Sequence, residues 1–290
     1  MYKIKDLYCK YPKNKQAVLE IKDLSVEKNS IVFFIGVSGA GKSTLLETLG
    51  LMNNTLHEPH NSIYLFNNGS REEDIVSVWR KSESKIAKFR GENFSFIFQN
   101  TNLLPTLSAF QNILSASLLN GSSKEDAMQN ARTVIGGILE DLNEDRNITE
   151  LSGGQKQRVS FARAIATDVP VLFADEPTGN LDWANASILM NMLIDNIRAN
   201  GKTAIIVSHD LNLAVEYADK IVYIDRRKHD NTDLYYGAIT KEFTFEKTND
   251  GNWSNTKDRY TDEQFLLFLK DKLKKNADIQ KYLCKSHILA

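Results

Sequence analysis

The chain has 290 residues, 42% hydrophobic and 25% charged, a balance that suits one large globular domain with or without an extension and argues against disorder. A net charge of −1 gives no support to nucleic-acid binding through bulk charge. Cys9 and Cys284 lie far apart without metal-ligand spacing and read as reduced cytosolic thiols; no signal-peptide core and no apolar run of about 20 residues is expected.

Residues 1–35 alternate polar and apolar, as in Tyr2-Lys3-Ile4-Lys5-Asp6-Leu7 and Val18-Leu19-Glu20-Ile21, and this period predicts antiparallel strands. Tyr11 falls in the turn between two of them, and Tyr8 lies nearby. Ile31–Ile35 is a continuous apolar run, as for a strand buried on both faces. It leads into Gly36-Val37-Ser38-Gly39-Ala40-Gly41-Lys42-Ser43, which fits the P-loop pattern G-x-x-x-x-G-K-[ST]. Gly36, Gly39 and Gly41 let the backbone wrap phosphates, with Ser38, Ala40 and Thr44 in the same cradle. Lys42 reaches the β and γ oxygens, and the Ser43 hydroxyl suits Mg²⁺. Thr44–Leu49 continues as a helix whose N-terminus faces the anion.

Ser62–Phe66 reads as a strand and Asn67-Asn68-Gly69 as a turn. His57 and His60 lack a third ligand and read as surface loop. Phe94–Phe98 is a further strand, ending at Gln99. Residues 106–150 read as helices. Ser122-Ser123-Lys124-Glu125 is read as the capping box of a helix running through Leu139, with Ala127, Ala131, Val134, Ile135 and Ile138 at helical spacing.

Leu151-Ser152-Gly153-Gly154-Gln155 is a small-residue turn entering a helix, so its backbone N–H groups form a second anion site. Gln157–Ala166 is helical; Arg158 and Arg163 on it could touch nucleotide, but surface and interdomain salt bridges are the favoured reading for either. Val171–Ala174 is a short apolar strand with Asp175 and Glu176 at its carboxyl end, where open α/β sheets place ligands. Such a pair suits a hydrated Mg²⁺ and an attacking water. Residues 184–200 form a helix ended by Asn200-Gly201. Thr203–Val207 is a buried strand followed by Ser208-His209-Asp210, and Lys220–Asp225 is the next strand. Tyr235–Ile239 and Phe243–Phe245 read as a terminal strand pair. Asp250-Gly251-Asn252 marks a turn or linker. Thr261-Asp262-Glu263-Gln264 caps a last helix with Phe265, Phe268, Leu269, Lys272 and Leu273 on one face. Lys270, Lys274, Lys275, Lys281 and Lys285 read as its solvated side, with Asp271 and Asp278 against a basic lipid-binding face.

In this order the motifs resemble those of the nucleotide-binding subunit of ATP-binding-cassette (ABC) transporters. The resemblance covers about residues 1–240 and leaves 250–290 as a helical extension, expected to dock on its own domain and to be dispensable for chemistry. It implies an α/β fold: a P-loop NTPase of ABC type with a RecA-like core, an N-terminal antiparallel β subdomain and a helical signature subdomain at about 106–165. Leu151–Gln155 matches the family signature, Val171–Asp175 the Walker B strand, and Pro177–Asp182 the D-loop. Phe96-Ile97-Phe98-Gln99 with Leu103-Leu104-Pro105 resembles the Q-loop, and DEPTGNLD is similar to ATPases of macrolide and peptide export, lipoprotein release and cell division.

The resemblance also implies roles. Tyr11 would stack on adenine, and Ser43, Gln99 and Asp175 would hold Mg²⁺. Glu176 would polarise the attacking water, and His209 would contact the γ-phosphate. Ser152, Gly153, Gly154, Gln155 and Asp182 would act across a pair. A second copy would complete each ATP site, and a separate transmembrane permease would dock beside the Q-loop. The expected location is cytoplasmic, peripheral on the inner face of the cell membrane, with no nucleic-acid partner. The alternative, a soluble ABC ATPase of DNA repair or chromosome maintenance, calls for a long coiled coil or zinc insertion, and only 108 residues lie between Lys42 and Leu151.

Overall fold

The computed structural model describes residues 1–14, 16–57, 62–138, 145–179, 181–230, 232 and 234–286, with side chains through residue 276. His60, Leu139 and Asn180, and the side chains of Asp278, Lys281, Cys284 and Lys285, lie outside the described residues. The chain divides into two compact units, Met1–Arg80 with Val207–Ala290, and Lys81–Ile206.

The first unit begins with β1 (Tyr2–Cys9), β2 (Leu19–Val26), β3 (Ile31–Ile35), α1 (Lys42–Leu49), β4 (Leu56–His57), β5 (Ile63–Asn67), β6 (Glu72–Asp74) and the one-turn α2 (Ile75–Val78). The second unit holds α3 (Glu83–Asn93), β7 (Phe94–Ile97), α4 (Ala109–Leu119), α5 (Lys124–Ile138), α6 (Gly153–Ile165), β8 (Val171–Asp175), α7 (Trp183–Ala199) and β9 (Thr203–Val207). The first unit resumes with α8 (Leu211–Tyr217), β10 (Lys220–Tyr223), β11 (Asp225–Lys228), β12 (Tyr235–Ile239), β13 (Thr244–Lys247), β14 (Trp253–Ser254), β15 (Arg259–Tyr260) and α9 (Asp262–Ser286). Among the described residues no helix is long and apolar enough to cross a membrane.

In the first unit the amphipathic strands form one sheet, ordered β11-β12-β2-β1-β5-β6 with β4 beside β1, and its β1–β2 pair is antiparallel as the period-two pattern requires. The apolar run of β3 instead pairs parallel with β10, and every β3 residue is buried. A run without polar alternation has no solvent face to offer, so it takes the interior position. In the second unit β9, β8 and β7 are neighbours, and β7 and β8 run parallel.

Several local expectations change. The cap of α5 is Ser123, whose Oγ accepts from Asp126 N–H at 3.1 Å, one residue later than the box read at Ser122 and Glu125. The carboxylate of Asp126 takes the Ser123 hydroxyl at 2.8 Å, so Asp rather than Glu fills the third helical position. His57, expected in a loop, belongs to β4 opposite Tyr8. Tyr235–Ile239 and Phe243–Phe245 do not pair. β12 joins β11 and β2 in the first sheet, whereas β13 lies antiparallel to β10. Asp225–Lys228 supplies a nearer hairpin partner for β12, and a tight turn at Lys241–Phe243 carries the chain to the other sheet.

Asp250-Gly251-Asn252 is the turn between β13 and β14, with Gly251 at φ +80°, a conformation glycine adopts without Cβ strain. The capping box of α9 is present: Gln264 N–H donates to Thr261 Oγ1 at 3.3 Å and the Gln264 side chain accepts from Thr261 N–H at 3.0 Å. The apolar face of α9 docks within its own unit. Phe265 and Leu269 are fully buried, Trp253 stacks on Phe265 at 4.9 Å, and Phe245 meets Phe265 at 4.7 Å and Phe268 at 5.5 Å. Trp253 Nε1 donates to Asp262, and Asn276 reaches the Tyr223 hydroxyl.

Candidate functional site

In the first unit the phosphate-binding loop runs from the end of β3 into α1. The residue before α1 is Gly41, at φ +89° and with no side-chain cap. An ordinary helix closes its first-turn N–H groups with a Ser, Thr, Asp or Asn oxygen. Here no side-chain oxygen closes the N-terminus, and the positive end of the helix dipole suits a phosphate. A Cβ at Gly36 would press on Ala40 Cβ and the Ile224 carbonyl at 3.2 Å, and one at Gly41 would sit 3.2 Å from the Val18 carbonyl. Gly39 has open space but a left-handed φ of +74°. Ser38 and Ser43 are exposed, whereas Ala40 and Thr44 are buried. Lys42 is 8% exposed and folds back across the loop, donating from Nζ to the carbonyls of Gly36 at 2.9 Å and Val37 at 3.2 Å.

Sequence reading missed the glycine behind this loop. A Cβ on Gly237 in β12 would stand 1.9 Å from the Ala40 carbonyl oxygen. Backbone cannot yield as a flexible side-chain end can. Gly237→Ala is therefore expected to displace the loop and weaken nucleotide affinity by ~10-fold or more, as overpacking of a rigid contact does. Titration with a fluorescent ATP analogue checks this; unchanged affinity would show that β12 gives way instead.

Tyr11 lies just before the described gap in the β1–β2 connection. Its hydroxyl donates to Glu47 Oε2 at 2.6 Å and contacts Thr44 Oγ1 at 3.2 Å, tying the ring to α1 directly after the phosphate loop. Burial, then the Glu47 hydrogen bond, push its pKa up to about 12. Tyr8, the other aromatic of this stretch, is occupied on the sheet: its hydroxyl accepts from Lys22 Nζ at 3.0 Å. His209 follows β9 and precedes Asp210, whose carboxylate caps α8 through the N–H groups of Asn212 and Leu213. Burial, reinforced by the charge of Lys42, lowers the His209 pKa below its ordinary value, so the imidazole is neutral at pH 7. The buried Cys9 thiol is pushed up to about 11 by desolvation, which keeps it protonated and unreactive.

The second unit brings Gln99 and the carboxylates together. β7 and β8 are parallel neighbours with Ile97 opposite Ala174. Their carboxyl ends therefore deliver Gln99 and Asp175-Glu176 to one edge. Glu176 is at φ +48°, a conformation that L residues with long side chains rarely adopt. Ser152 caps α6 in a reciprocal box with Gln155: Ser152 Oγ accepts from Gln155 N–H at 3.3 Å, and the Gln155 carboxamide oxygen accepts from Ser152 N–H at 3.0 Å. One first-turn N–H, that of Gln155, is thus taken by the Ser152 hydroxyl. A Cβ on Gly153 would meet nothing within 4 Å.

The Asp182 carboxylate is committed as the cap of α7, accepting from Asn185 N–H at 3.0 Å and its side-chain amide at 2.6 Å, and these bonds lower its pKa. Among the described residues Arg163 forms no salt bridge, which corrects the expectation of one. It donates to the backbone carbonyls of Thr101 at 2.9 Å and Asn102 at 2.7 Å, in the loop that follows Gln99.

The lipoprotein-releasing system ATP-binding protein LolD of Syntrophus aciditrophicus is 36% identical over 201 residues, covering 69% of this chain and 85% of that protein. The macrolide export ATP-binding/permease protein MacB of Rhodopseudomonas palustris is 35% identical over 77% of this chain, which spans only 33% of that longer protein. Among solved structures, the ATP-binding cassette MJ0796, in a dimeric post-hydrolysis state bound to ADP and Pi, superposes with a TM-score of 0.65 at 28% identity, covering 77% of this chain and 94% of that one. The ABC transporter family profile matches residues 19–179, a stretch holding the helix N-terminus at Gly41 that has no side-chain cap, the capped turn at Ser152 and the carboxylates after β8, and the chain belongs to that family.

Proposed function

We propose that this chain is the ATP-hydrolysing subunit of a transporter, acting as an ATP-closed pair on a separate transmembrane permease at the cytoplasmic face of the membrane. The observation that carries this is the uncapped N-terminus of α1 with Lys42 folded over its loop. The loop amides take the phosphates, and Lys42 exchanges its two carbonyl partners for β and γ oxygens. Tyr11, anchored through Glu47, presents its ring to the adenine. Ser43, Gln99 and Asp175 offer hydroxyl, carboxamide and carboxylate oxygens, hard donors that fit Mg²⁺. Bound there, Mg²⁺ would neutralise charge on the phosphates. Glu176 orients and polarises the attacking water, and the neutral His209 imidazole donates to the γ-phosphate as charge builds. Residues 1–240 form the ATP-binding domain in this reading, with helices at 106–165 carrying the signature and 250–290 as an addition to it. Ser152, Gly153 and Gly154 close over the nucleotide of a second copy. The similarity to LolD and MacB supports export or lipoprotein release as the coupled work, and force transmission across the membrane is a third use that the same cycle would serve.

Gly153→Asp tests the reading. The site has room for a side chain within one copy, so the new carboxylate acts on the partner's γ-phosphate. Phosphate release is expected to fall by ~100-fold or more through charge repulsion, with monomer nucleotide affinity within about twofold. Equal losses of affinity and turnover would show that the signature does not act across the pair.

A further inference from the structure

The two left-handed residues beside the proposed chemistry of the second unit share one anchor. Asn102 follows Gln99 by three residues and Glu176 ends the carboxylate pair; both stand at φ +48°. Each strained turn is bonded by a side chain of α6. Arg163 donates through Nη1 to the Asn102 carbonyl and through Nη2 to the Thr101 carbonyl, at 2.7 and 2.9 Å. Ser160 Oγ adds a longer bond to Thr101 O at 3.4 Å. Gln157 donates from Nε2 to the carbonyl of Pro177 at 2.5 Å.

Burial makes these bonds consequential. Gln157 is 3% exposed, and desolvation lowers the Arg163 pKa. Buried donors of this kind are costly when left unpaired, so each holds its carbonyl partner in place. Gln157 and Arg163 are six residues apart on one helix, whose first turn is the signature. Their targets are backbone carbonyls, so what they hold is chain direction. The chain therefore keeps the unfavourable conformation of Glu176, and the left-handed turn that asparagine tolerates at position 102, by tying both to one rigid rod.

We propose that Gln157 and Arg163 are positioning residues that make α6 a two-point clamp, fixing the turn after Glu176 and the loop after Gln99 from the helix that begins with the signature. This rests on the role given to Glu176 above. A displacement of α6 then moves the water-activating carboxylate and the loop after Gln99 together. Asn102 and Arg163 also line a cavity of about 320 Å³, so the Gln99 end of the clamp is open to solvent.

The test uses the full chain and Gln157→Met, which keeps the side-chain volume and removes the donor. Single-turnover hydrolysis is expected to fall by ~10- to 100-fold, the scale of a small misplacement of a reacting group, with nucleotide affinity within about twofold. In a Glu176→Gln background the same substitution should cause no further loss. An equal loss in both backgrounds would mean that Gln157 does not act through Glu176, and the proposal fails. Wild-type turnover by Glu176→Gln alone would instead fail the reading on which the proposal rests. Amide hydrogen exchange supplies a second readout. Gln157→Met should speed exchange in 176–179, and Arg163→Lys, which keeps charge but loses the fork, in 100–104. Faster exchange across the whole unit, or in neither segment, overturns the clamp.

Discussion

Glu176→Gln is expected to lower ATP turnover by ~100-fold or more while leaving nucleotide affinity intact, so that the protein accumulates as a dimer when ATP and Mg²⁺ are present. The amide has the size and shape of the carboxylate, and backbone strain at this position is the same for both residues. What is lost is the charge that polarises the attacking water. Without hydrolysis, nothing opens the ATP-closed pair. Size-exclusion chromatography and phosphate release measure the two effects in one preparation. Turnover at the parent rate would remove Glu176 from the chemistry. It would equally remove the reason for holding the Pro177 turn so firmly.

The second large effect concerns residues 250–290. By sequence this stretch is an addition that chemistry can spare. The structure makes Phe265 a central piece of the first unit, fully buried and in ring contact with Phe245, Trp253, Tyr260 and Phe268. Phe265→Ala is expected to cost about 3–5 kcal/mol from lost transfer energy and the cavity left behind. For a unit of this size that lowers Tm by roughly 10 °C or more. Truncation after Asn249 removes Trp253, Phe265 and Leu269 together and strips the cover from Phe245, so insoluble protein is expected. Leu267→Ala is the control: Leu267 is 67% exposed on the same helix and should change stability by about 0.5 kcal/mol or less. Thermal unfolding followed by circular dichroism distinguishes the three. A soluble truncation with the parent Tm would show that α9 adds nothing to the core.

Features legible in the sequence are those written over short spans. The phosphate loop needs only a buried run, spaced glycines and Lys42-Ser43, and all of these are contiguous. The cap of α9 needs Thr261 and Gln264, three residues apart. The signature turn likewise shows itself through Ser152 and Gln155. In each case the interacting groups are brought together by local backbone geometry, so residue type and spacing suffice.

Harder to read were features whose partners are distant along the chain. Gly237 has an ordinary place in a strand until β12 is laid against Ala40, almost 200 residues earlier. Arg163 resembles any helix-surface arginine until the loop after Gln99 comes within reach of its fork. Tyr11 is the favoured aromatic in sequence and Tyr8 its rival; that the Tyr11 hydroxyl bonds Glu47 and the Tyr8 hydroxyl Lys22 is visible only in the fold.

By itself, then, the sequence determined the family, the P-loop, the carboxylates after β8 and the strand and helix types, because each rests on local spacing and hydrophobic period. Tertiary structure alone decided that β12 and β13 enter different sheets, that Asp182 caps α7, that side chains of α6 bond the carbonyls of Pro177, Thr101 and Asn102, and that the apolar face of α9 packs into its own unit. Those outcomes depend on which buried surfaces and backbone carbonyls meet in space. A period along the chain can say that a face must be covered, but it does not specify what covers it.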